Sequence, residues 1–138
     1  MKTKAWLIMG IIIGSSLFFI CSAQSQNIAD KTIDYLRTKK LEAIEKAAKD
    51  DVRIIASESE RYAIYSNGIF PSSLNDLVNS KPSFIPASLA EGNGRYKYSL
   101  ESKPNYYKIV AVPLECGKTG NKVFIKERDK EIIEQNCQ

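Results

Sequence analysis

The sequence predicts an α+β domain in which a long N-terminal helix packs on a small antiparallel sheet of three to four strands. Three observations carry this. Apolar residues from Ile33 to Tyr62 recur mostly at three- and four-residue steps, the period of one helix face. From Arg95 onward the period switches to two, as on a half-buried strand. Short turn signals separate the later apolar runs, and a helix followed by such strands is the α+β order.

The chain opens with Lys2 and Lys4, an apolar run from Ala5 to Ile20, then Ser22 and Ala23. A positive start, an apolar centre and small residues at its end are the parts of a signal peptide. Ala5–Ala23 also reaches the roughly 17–25 residues of a membrane helix. Residues 1–23 are therefore expected to be a signal peptide cleaved near Ala23 or a retained anchor. Either reading exports residues 24–138 to the cell envelope. Cys21 follows Ile20 rather than the Gly, Ala or Ser that lipid attachment favours, and reads as a cysteine inside the apolar segment.

Asn27 or Asp30 can cap the long helix, expected over about 28–66. Ile33, Leu36, Leu41, Ile44, Ala48, Val52, Ile55 and Tyr62 form its apolar stripe. The charged residues between them, such as Glu42, Lys46 and Asp51, read as a solvated face with supporting pairs such as Glu42–Lys46. Lateral packing against copies of the chain is the functional alternative for that face. Asn67-Gly68 supplies the left-handed stop and Pro71 prevents resumption. A short helical turn from Pro71 should bury Leu74, Leu77 and Val78, and the stretch from Lys81-Pro82 to Ile85-Pro86 reads as a loop.

The sheet is expected over about 94–135. Tyr96, Tyr98 and Leu100 alternate with polar residues, Ser102–Asn105 turns, and Tyr106–Val112 returns. Lys122–Lys126 follows a glycine-containing turn, and Glu131–Glu134 is the expected last strand.

Composition excludes much chemistry. The chain has no histidine, which removes the commonest general base and imidazole ligand. The net charge is +4, and setting aside Lys2 and Lys4 leaves an excess of two. So balanced a domain gives no electrostatic case for nucleic acid, and the strand tyrosines read as core rather than as stacking platforms. Gly117-Lys118-Thr119-Gly120 lacks the first glycine of a phosphate loop, since Val112 occupies that position, and a strand follows it. No carboxylate pair stands out in an apolar setting. We therefore expect no enzyme, no cofactor and no metal. Cys116 and Cys137, in an exported chain, are expected to form a disulfide, with a free or metal-bound pair as the alternative.

Ser59-Glu60-Arg61-Tyr62-Ala63-Ile64-Tyr65, then Asn67-Gly68, Pro71, Leu74 and Leu77, resemble the turn out of the long helix in type IV pilins and type II secretion pseudopilins. Tyr96-Lys97-Tyr98, Ala111-Val112-Pro113 and Gly117–Phe124 resemble the strands of that domain, and the Cys116–Cys137 pair is similar to its C-terminal disulfide. The resemblance covers roughly residues 30–137. It implies a structural or interaction protein whose partners are other pilin-like subunits or secretion components. Prepilins carry a glutamate five residues after the leader glycine. Here Ser15 follows Gly10 and Phe19 follows Gly14 at that spacing, which implies a minor or accessory component. A free exported module that uses the same globular fold for another partner is the alternative.

Overall fold

The computed structural model describes the backbone of residues 4–138 and the side chains of residues 29–138. The expected signal peptide or membrane anchor at residues 1–23 lies outside the described side chains. Helix α1 spans Lys4–Tyr65, so it starts well before the expected residue 28 and neither Asn27 nor Asp30 caps it, and the chain divides into two units at Lys39/Lys40. Among the described residues no helix is long and apolar enough to cross a membrane.

In the unit from Lys40 onward, α1 buries Ile44, Ala48, Val52, Ile55, Ala56 and Ala63, a stripe at helical spacing. Ser59 lies in the same stripe fully buried, and its hydroxyl donates to the Ile55 carbonyl at 2.7 Å, so its polar atom is satisfied within the helix. The stop is as expected. Asn67 adopts φ 53° and Gly68 φ 86°, and the Gly68 N–H reaches back to the Ala63 carbonyl at 2.8 Å.

Helix α2, Leu74–Asn79, buries Leu74 and Leu77, with Val78 packed beside the core. Asp76 accepts from the N–H groups of Ser72 and Ser73 at 2.8 and 3.0 Å and from the Ser72 hydroxyl at 2.6 Å. These bonds, led by the hydroxyl, hold its carboxyl below the usual range. A four-residue helix, α3, Ala87–Ala90, follows Pro86 and buries Leu89.

Four strands form an antiparallel meander in chain order: β1 Tyr96–Lys103, β2 Tyr106–Pro113, β3 Lys122–Glu127 and β4 Ile133–Asn136. The expected fold class holds. The last strand lies two residues later than the expected Glu131–Glu134. The β3–β4 connection consumes Arg128–Ile132, with Asp129 at φ 61° and the Lys130 N–H bonded to the Glu127 carbonyl. The inner sheet face contributes Tyr96, Tyr98, Leu100, Tyr107, Ile109, Ala111 and Phe124 to the core shared with α1. The tyrosines of that list are thus core residues.

Gly120 is required by close packing. A Cβ there would meet the Tyr96 hydroxyl at 2.1 Å, and that hydroxyl donates to the Lys122 carbonyl at 2.8 Å.

Candidate interaction site

Three polar fasteners tie α1 to the rest of its unit. In the first, the buried Tyr98 hydroxyl donates to Asp51 at 2.5 Å, and the Asn93 amide donates to both, at 2.8 Å to Tyr98 and 3.0 Å to Asp51. Burial, reinforced by the Asp51 hydrogen bond and charge, pushes the Tyr98 phenol well above its ordinary value. The Asn93 carbonyl meanwhile accepts from the N–H groups of Arg95 and Tyr96, which starts β1.

The second fastener joins Glu60, Tyr107 and Arg128. Burial first, then the charge and hydrogen bond of Glu60, raise the Tyr107 phenol to about 12, with Arg128 opposing. The Arg128 guanidinium lies 3.5 Å from Glu60, covers the Phe70 ring at 4.8 Å and donates to the Asn105 carbonyl at 3.1 Å. One arginine thereby holds the end of α1, the segment after it and two sheet turns.

The third fixes the C-terminal edge. Cys116 and Cys137 are joined in a disulfide, with Cα atoms 5.9 Å apart across 21 residues. Glu134 pairs with Lys122 and with Lys49 of α1, both at 2.7 Å, and Glu45 accepts from the Asn121 N–H at 2.7 Å. Hydrogen bonds from Lys122, then Lys49, lower the Glu134 carboxyl to about 2.

The charged face of α1 is therefore not only solvated. Glu45, Lys49, Asp51 and Glu60 are partly buried against sheet elements, while Arg53–Asp50 and Arg61–Glu58 are pairs within the helix. Nothing in single-helix periodicity marks which charges a sheet will meet. The loop Gly117–Gly120 is closed on itself: the Lys118 ammonium pairs with Glu115 at 2.6 Å, and the Thr119 hydroxyl accepts from the Glu115 N–H at 2.9 Å. No group of three or more Cys, Asp or Glu is placed to hold a metal among the described residues.

Large apolar side chains are also exposed, among them Ile64, Tyr65 and Ile69. In the unit ending at Lys39, Ile33 and Leu36 are 62% and 60% exposed, with Tyr35 similarly open. The apolar stripe read from the sequence includes Ile33 and Leu36. They continue its spacing, but no described side chain covers them. No family model, curated protein or solved structure matches this chain.

Proposed function

We propose that the protein is a pilin-like structural or interaction component, minor or accessory, of a type IV filament or type II secretion pseudopilus. It is exported, and its partners are other pilin-like subunits engaged along the helix. One observation carries the reading: an apolar stripe buried under a sheet from Ile44 to Ala63 has exposed members, Ile33 and Leu36, earlier on the same helix. Isolated exposed apolar residues are ordinary, but two large ones three residues apart form a face that a second helix fits. The charged residues beside them, Asp30, Lys31, Asp34 and Arg37, carry both signs and suit a neighbour of mixed charge.

The test is association of the full chain with sheared filaments or with the secretion complex of its own cell. An Ile33→Glu/Leu36→Glu double variant should lose that association and keep the melting temperature of the parent, because both side chains are exposed. Association unaffected by the double variant, or absent in the parent, would favour the free exported module instead.

A further inference from the structure

An antiparallel sheet with one face on a helix normally turns polar residues to the other. Strand β1 obeys, with Lys97, Ser99, Glu101 and Lys103 outward and exposed. The other three strands mix aliphatic residues with Lys108, Glu127 and Gln135 on that face. The core residues Ile109 and Ala111 put Val110 and Val112 on the outer face of β2. The register sets Ile125 beside Val110 and Ile133 beside Ile125. Val123 lies two residues from Ile125 on the same face. Val112 and Ile133 are 43% and 45% exposed, and Leu114, just past β2, is 56% exposed. Six aliphatic side chains thus gather on a face that solvent should own, a pattern that marks an interaction surface.

We propose that this face binds the same face of a second copy of the chain, sheet on sheet, about a two-fold axis along the row Ser99–Val110–Ile125–Ile133. The charges select this occupant. Lys97 and Glu101 stand two residues either side of Ser99, and neither joins an ion pair among the described residues, although the register sets Lys108 across from Glu101 on the same face. A two-fold along the Ser99 row lays Lys97 of each copy over Glu101 of the other, so two complementary pairs form at once. The same rotation puts the aliphatic stem of Lys108 over Val112, its ammonium reaching solvent, and sets Glu127, already paired with Lys130, over Val123. Stacked sheets lie about 10 Å apart, and their slight crossing leaves residues on the axis near their own counterparts. This dimer is independent of the helix-borne association proposed above, since it uses residues on the opposite side of the sheet from α1.

The axis makes the inference testable with single cysteines. In a full-length Cys21→Ser background, solubilised in mild detergent, the native Cys116–Cys137 disulfide is silent to a short bismaleimide. Ser99→Cys should cross-link to its own mate. Lys103→Cys, four residues along the strand, should not, because its counterpart would be about 27 Å away. Both positions are exposed, and near-ultraviolet circular dichroism checks that each variant is folded. Lys97→Glu should lower the Ser99→Cys dimer yield several-fold, and Lys97→Glu/Glu101→Lys should restore it. A monomer at Ser99→Cys, equal dimer at Lys103→Cys, no rescue by the charge swap, or an adduct with a different protein would each overturn the proposal. Loss of filament association in Ile33→Glu/Leu36→Glu with this cross-link intact would separate the two surfaces.

Discussion

Asp51 and Tyr98 are 47 residues apart in sequence and share a 2.5 Å hydrogen bond between α1 and β1. The alternation Tyr96-Lys97-Tyr98 was enough to place the tyrosines inward, because strand period two is local. Their hydroxyl partners were not legible, because choosing Asp51 among the helix acids needs the crossing geometry of helix and sheet. Tyr98→Phe leaves Asp51 with the Asn93 amide alone and should cost about 1–3 kcal/mol in chemical denaturation. The buried phenols also set an alkaline limit. Tyr96 and Tyr107 are raised from 10.0 to about 12, mainly by burial, and Tyr98 is raised as well. A phenol whose folded value exceeds its unfolded one contributes stability that is complete below pH 10 and declines as pH rises toward about 12. Unfolding between those limits should therefore coincide with the rise of tyrosinate absorbance. Tyrosinate that appears fully at pH 10 without unfolding would show the phenols to be open to solvent.

At the scale of elements, the body and stop of the long helix, α2 and the strands β1 to β3 follow from periodicity and turn chemistry that a few neighbouring residues contain. The helix start, α3 and the start of β4 do not. Ala87–Ala90 is one turn after a proline, too short for a period, and Glu131–Glu134 carries no alternation that fixes where pairing begins. The Arg128–Ile132 connection decides it, through Arg128 reaching Glu60, Phe70 and Asn105. The helix stripe predicts a sharp contrast. Ile55→Asp puts an unpaired charge where no solvent reaches and should unfold the unit from Lys40 onward, a loss of several kcal/mol. Lys46→Asp changes an exposed position and should leave the melting temperature within a degree or two. Similar melting for both would show that this helix face is not buried. Strand β4 is exposed at all four residues and is tied down by its ladder, the Glu134 pairs and the disulfide. Reduction should cost about 3 kcal/mol by loop-entropy arithmetic and raise hydrogen exchange first in β4. Without reductant, Cys116 and Cys137 should resist thiol reagents, and labelling of both would remove the disulfide.

At the scale of the whole molecule, the two proposed readings differ in the fate of the N-terminal segment. The proposed export rests on Lys2, Lys4 and the run Ala5–Ile20, which have the order of a signal peptide or anchor. On the proposed reading, a retained segment would present the exposed Ile33 and Leu36 to neighbours held in the same membrane. If it is removed, two-dimensional confinement is lost, and with it the effective concentration that makes a weak helical contact productive. A prepilin peptidase should leave this chain uncut, since Ser15 and Phe19 stand where the glutamate following Gly10 or Gly14 would be. Signal peptidase, if it acts, should cut after Ala23, so that the mature chain begins at Gln24 and fractionates with soluble exported proteins. N-terminal sequencing of the mature protein together with membrane fractionation distinguishes the outcomes. An uncut chain in the membrane fraction supports the filament-associated reading, and Gln24 in the soluble fraction supports the free module. A mature N-terminus at Ile11 or Ser15 would show that the missing glutamate does not prevent pilin-type processing, and would replace the proposed accessory role with that of an ordinary filament subunit.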